Sequence, residues 1–278
     1  MLKQRVITAV ILAPIVIGGL FFLPPLGFAV FTALVLAVAG WEWGNLAGVT
    51  DPMQRWLCAA LVLALMAVSY SLPVEPVLWV AVLWWALAWF LVASYPERTD
   101  LWAGGWIRLL MGVPVLVGAW LGLNHLRTGE LALGQADNNL LLILYTFVIV
   151  WAADIGAYFS GRAFGRRKLA PSVSPGKSWA GVYGGLALVL VLACGIAWLV
   201  DAGPAAAAGF VLVSLVTAAV SIIGDLFISM LKRHRGIKDS SQLLPGHGGI
   251  MDRIDSLVAA IPVLAFCFTL AGWLVPAA

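Results

Sequence analysis

Three carboxylates stand in or at the ends of strongly apolar stretches of this chain: Asp154, Asp225 and Glu42. An ionised carboxylate in such a setting is costly unless it is paired, hydrated or bound to a cation, so Asp154 and Asp225 read as parts of a site for a polar ligand. Glu42, between Trp41 and Trp43, reads as a solvated side chain at the end of its stretch. Helical spacing extends the pattern. Asp225, Ser229, Lys232 and Arg233 fall at i, i+4, i+7 and i+8, and Asp154, Tyr158 and Arg162 share a second helical face. Each stripe joins an acid to a hydroxyl and at least one cation, and two such stripes can line one cavity.

Two polar segments complete the chemistry. Eight charged side chains fall between Ser229 and Asp255, although only 10% of the chain is charged. Within that segment Gly246, Gly248 and Gly249 surround His247, a pattern that lets backbone approach a ligand and can aim amides at phosphate oxygens. Lys238 and Asp239 precede Pro245, while Asp252 and Asp255 follow at i and i+3. Scattered aspartates beside basic residues suit a hard cation such as Mg²⁺, which takes a few carboxylate oxygens together with phosphates and water. His247 lacks the partners that zinc requires. The other segment, residues 160–178, has no acid and offers Arg162, Arg166, Arg167, Lys168 and Lys177 with Ser174 and Ser178 as a phosphate clamp.

The elements that must position these groups are membrane helices. The chain has 278 residues, 63% of them hydrophobic, and a mean hydropathy of +1.01, which excludes an ordinary water-soluble domain. Nine candidate spans lie near residues 6–23, 26–47, 56–72, 77–93, 107–124, 140–159, 179–200, 206–228 and 256–275. The expected fold class is therefore all-α, a polytopic integral membrane protein. With a cytoplasmic N-terminus, 15 of the 16 basic residues, from Lys3 and Arg5 to Arg253, lie inside and only Arg127 lies outside. The first span reads as a retained helix rather than a cleaved signal. A net charge of +3 does not imply nucleic-acid binding and suits membrane lipids or a small phosphorylated partner. Cys58, Cys194 and Cys267 lie singly in apolar spans and read as small core residues. Trp41, Trp43, Trp84, Trp85, Trp102 and Trp106, near span ends, read as an interfacial belt. Residues 1–139 form an N-terminal scaffold poor in reactive groups, and residues 140–278 form a catalytic region with cytoplasmic loops 160–178 and 229–255.

The order Ser229, Lys232-Arg233, Lys238-Asp239, Pro245, His247-Gly248-Gly249 and Asp252-Arg253-x-Asp255 resembles the signature of the phosphatidate cytidylyltransferases. Gly224-Asp225 and the run from Asp154 to Ser178 are similar to that family's other motifs, and the likeness covers about residues 150–262. The resemblance implies transfer of CMP from CTP to phosphatidic acid, giving CDP-diacylglycerol and pyrophosphate with Mg²⁺. It also implies that Asp225 and Asp252 hold metal, a second cation being left open. Two positions depart from the pattern: Ile228 stands where the family commonly has glutamate, and Ala180 where an acid or amide is frequent.

The expected catalytic residues are thus Asp154, Lys232, Arg233, Lys238, Asp239, His247 and Asp255. The expected substrate contacts are Arg162, Arg166, Lys168, Ser174, Lys177, Ser178, Ser229, Gly248, Gly249 and Arg253. The expected location is a bacterial cytoplasmic (inner) membrane with the site facing the cytoplasm, and a homodimer is left open. Two other classes fit parts of the pattern: a transporter using Asp154 and Asp225 as an intramembrane ion path, and another CTP-dependent lipid-modifying enzyme.

Overall fold

The computed structural model describes residues 2–134 and 138–275; the side chains of Lys3 and Arg5 lie outside the described residues. Apolar chain crossing a bilayer must satisfy its own backbone, and the sequence does so as helix. In order these are α1 (Leu2–Phe22), α2 (Pro25–Ala47), α3 (Pro52–Ser69), α4 (Val74–Ala93), α5 (Gly105–Thr128), α6 (Asn139–Phe164), α7 (Trp179–Leu199), α8 (Pro204–Arg235), α9 (Met251–Ile254) and α10 (Leu257–Leu270). Local signals start them: proline opens α2, α3 and α8, and the side chains of Asp51, Asn138 and Ser178 cap α3, α6 and α7 by accepting from backbone amides.

Among the described residues seven helices, α2 to α8, are long and apolar enough to cross a membrane, where nine spans were expected. The outer two candidates correspond to the shorter apolar helix 10–22 within α1 and to α10. The ninth expected stretch is interrupted by the turn around Asp255 and Ser256, which leaves α10 with 14 residues. That is about 21 Å of helix against roughly 30 Å of hydrocarbon. The all-α class holds, with two short additions. Two antiparallel ribbons are present, β1 (Glu130–Leu131) with β4 (Leu274–Val275) and β2 (Lys168–Ala170) with β3 (Ser174–Ser178). The second ribbon gives the expected 160–178 loop a defined shape.

Close approach of backbones sets the packing. α6 and α7 meet through small residues: a Cβ at Gly156 would lie 2.5 Å from the Gly184 carbonyl, and one at Gly185 would lie 2.6 Å from that of Ala153. The core is partly aromatic. Phe227 of α8 is surrounded by Trp43, Trp84 and Trp85, with ring centroids 6.4, 5.5 and 6.0 Å away. Trp43, Trp85 and Trp102 are buried, so they are core residues and not members of an interfacial belt. Lipid tails and protein interior are equally apolar, so hydropathy alone cannot say which face of a span turns inward. Trp106, which is 82% exposed, does fit the belt.

Candidate active site

The site is built where α6, α8 and the segment before α10 converge on the β2–β3 ribbon. Gly224 makes the convergence possible: a Cβ there would stand 2.5 Å from the carbonyl of Asp255 and 2.7 Å from Ala259 Cβ. The next residue, Asp225, is thereby set beside the chain turn that carries Asp255. Asp225 Oδ2 pairs with Lys177 Nζ at 2.6 Å, both side chains remaining about a quarter exposed. Its Oδ1 accepts from Ser229 Oγ at 3.2 Å, as the i, i+4 spacing requires. Asp154 is exposed, and the charges acting on it are those of Lys177 and Asp225. Asp255 is pushed up to about 7, first by burial and then by the neighbouring Asp225 carboxylate.

Asp252 forms the second centre. Lys232 Nζ reaches its Oδ1 at 2.7 Å. Its Oδ2 accepts from Ser240 N at 2.8 Å, Ser240 Oγ at 2.9 Å and Gly249 N at 2.9 Å. Burial alone would raise its pKa, but the Lys232 ammonium and the Gly249 and Ser240 amides outweigh burial and hold it below the usual carboxylate range.

Glu42 is not the solvated residue that its position at a span end suggested. It is fully buried, and both its oxygens accept hydrogen bonds from residues 240–251. The nearby Asn45, one turn on, donates from Nδ2 to the Ser240 carbonyl at 2.9 Å. The signal for this pair was present in Trp-Glu-Trp-Gly-Asn, whose acid and amide share a helix face at i, i+3. No sequence reading could have placed its partners, about 200 residues away.

The remaining expected site residues are distributed around these centres. Lys232 turns to Asp252, while Arg233 diverges and donates from Nε to the Val173 carbonyl at 3.2 Å, tying α8 to the ribbon. Ser178 is buried and caps α7 by accepting from Gly181 N. Ser174 is half-buried on β3. Arg162 approaches Tyr158 Oη at 3.4 Å, and Arg167 lies over the Trp179 ring. Arg162, Arg166, Lys168, Lys238, Asp239 and Arg253 are exposed. In the glycine loop the amides of His247 and Gly248 donate to the Leu244 carbonyl, and that of Gly249 donates to Asp252, so these three are engaged within the protein. The buried Nδ1 of His247 has no hydrogen-bond partner.

Among the described residues no three His, Cys, Asp or Glu side chains converge to enclose a metal. The donor chemistry nonetheless fits a magnesium-like cation, which needs one or two carboxylates and draws its other ligands from phosphate and water. Asp225 is partly open on Oδ1, and Oδ1 of Asp252 carries a single partner. Both face lysine ammonium groups, which shows that each position already favours positive charge.

Residues 3–271 match the model of the cytidylyltransferase family. The chain belongs to that family. Curated relatives extend the match over nearly the whole length. The phosphatidate cytidylyltransferase of Pseudomonas aeruginosa is 52% identical, covering 99% of this chain and 100% of that protein. Those of Haemophilus influenzae and Brucella suis are 41% and 34% identical, covering 96% and 95% of this chain and 99% and 92% of theirs. The cytidylyltransferase match runs through both halves of the chain, including α2 with Glu42 as well as the segment with Asp252.

Proposed function

We propose that this cytidylyltransferase-family chain transfers CMP from CTP to phosphatidic acid, forming CDP-diacylglycerol and pyrophosphate. The observation that carries the reading is the pairing of Asp225 with Lys177 and of Asp252 with Lys232, in a chain similar over its full length to phosphatidate cytidylyltransferases. One phosphate oxygen of the lipid attacks the α-phosphorus of CTP, and the bond to the β,γ-pyrophosphate breaks. The attacking phosphate is already ionised, so no protein nucleophile is needed; alignment and charge neutralisation dominate.

The chain supplies both. Lys177 and Lys232 stand where they can exchange a carboxylate partner for a phosphate oxygen. Arg162, Arg166 and Lys168 line the exposed approach along α6 and the ribbon, suited to the triphosphate. Asp225 and Asp252 would hold Mg²⁺, which when bound neutralises phosphate charge. Asp154 and Asp255 are further carboxyl groups that feel the charge of Asp225, and Asp255, at about 7, carries its proton below neutrality.

The bias of basic residues supports a cytoplasmic N-terminus and a site facing the cytoplasm, where CTP is available. Bacterial relatives support a cytoplasmic (inner) membrane. The test is incubation of the purified protein in detergent with labelled CTP, phosphatidic acid and Mg²⁺. Formation of labelled CDP-diacylglycerol is expected; its absence from folded protein would reject the activity.

A further inference from the structure

We infer that Glu42, on α2 in the N-terminal half of the chain, is a positioning residue for the catalytic site, holding segment 240–251 so that Asp252 keeps its aim. The inference rests on the proposed nucleotidyl transfer for its kinetic meaning, but the structural link stands by itself.

Glu42 has 0% exposure and no lysine, arginine or histidine within ion-pair distance among the described residues. Burying a carboxylate in that way is costly unless donors satisfy it. Four donors do. Oε1 accepts from Ser241 Oγ at 2.5 Å and Ile250 N at 2.9 Å, and Oε2 accepts from Ser240 Oγ at 3.1 Å and Met251 N at 2.6 Å. All four belong to the segment that precedes Asp252, so one side chain gathers both of its ends. Hydrogen bonds to an ionised acceptor are about twice as strong as neutral ones, which suits a single anchor for an otherwise irregular segment.

Ser240 carries the link onward. Its hydroxyl lies 3.1 Å from Glu42 Oε2 and 2.9 Å from Asp252 Oδ2. A hydroxyl has one proton, so it serves two carboxylates only as a shared bridge, and displacement of either acid alters the other's contact. Gly249 is confined between them: a Cβ there would collide with Ser240 Oγ and the Glu42 carboxylate, while its amide donates to Asp252. The second glycine of the pair is thus required by contact with α2.

Glu42→Gln keeps the size of the side chain but turns one acceptor into a donor facing donors. Expected results are a fall in kcat of roughly thirtyfold, a change in the KM for CTP below about threefold, and faster hydrogen exchange at Gly249, Ile250 and Met251 by roughly tenfold, with protection in α4 and α5 retained. Ser240→Ala should reproduce these changes in weaker form. The double variant should be little worse than Glu42→Gln alone, because both break one chain of contacts. A double loss equal to the product of the single losses would overturn the inference, as would a Glu42→Gln protein with wild-type kcat and exchange. Should Glu42→Gln fail to fold, Ser240→Ala decides: unchanged kcat and unchanged exchange at Gly249 reject the link. Wild-type protein that makes no CDP-diacylglycerol would reject the activity, whereas the exchange measurement would still test Glu42.

Discussion

Asp225 and Asp252 each hold a lysine, but their surroundings differ in a way that separates their roles. The Lys177–Asp225 side chains are 26% and 27% exposed, and the Lys232–Asp252 side chains are 12% and 4% exposed. Loss of the second pair strands a largely buried ammonium, whereas loss of the first leaves Lys177 in contact with water. Asp225→Asn is therefore expected to lower turnover by roughly a hundredfold or more with little change in thermal midpoint, and Asp252→Asn to lower both. Activity assays and melting curves in the same detergent check the difference.

Asp255 makes a pH prediction. Its carboxyl, at about 7 in the folded protein because of burial and Asp225, titrates near 3.9 when unfolded. Between these values the folded state holds a proton that the unfolded state has lost. Its contribution is full below pH ~4, declines as pH rises, and is gone above about 7. Chelator-treated protein should lose stability between pH 5 and 7, and Asp255→Asn should flatten that slope in denaturant titrations.

At the scale of elements, α8 does most to connect scaffold and chemistry. One face carries Asp225, Ser229 and Lys232 toward the site, while Phe227 and Ile228 are buried in the apolar core. Ile228 replaces the glutamate that the family resemblance leads one to expect, and it has 0% exposure. A carboxylate introduced there would enter the apolar core that also holds Trp43, Trp85 and Phe227. Ile228→Glu is expected to destabilise the protein by about 3 kcal/mol without raising turnover. Increased kcat with an unchanged melting temperature would show that the departure limits this enzyme. The two-residue-period ribbon of β2 and β3 was hidden in the sequence because prolines, glycine and charges masked any alternation, although Val173 proved to be buried. Arg233 secures that ribbon, which explains why it does not share the destination of Lys232.

For the whole molecule, the division into scaffold and catalytic region takes on a different meaning once Glu42 and Asn45 are seen to grip the segment around Ser240. The first half helps to shape the site. The proposed orientation gives a prediction at this scale: in a cysteine-free background, Lys238→Cys should react with a membrane-impermeant thiol reagent only when the cytoplasmic face is open, and Glu130→Cys only from the other side. Reversed labelling in sealed vesicles would reject the orientation. Both positions are exposed, which makes labelling a fair test.

Sequence alone determined that this chain is a helical membrane protein with concentrated polar chemistry. Charge and glycine in an apolar background cannot be concealed, and the helical spacing of Asp225, Ser229 and Lys232 made their proximity legible. Tertiary structure decided which apolar faces turn inward, because hydropathy is blind to that choice in a bilayer. It also decided that α10 is short and that Glu42 is buried against Ser240, Ser241, Ile250 and Met251. Those bonds join residues 198 to 209 positions apart, a relation that local periodicity does not encode and only packing of α2 against the end of α8 and the following segment can establish.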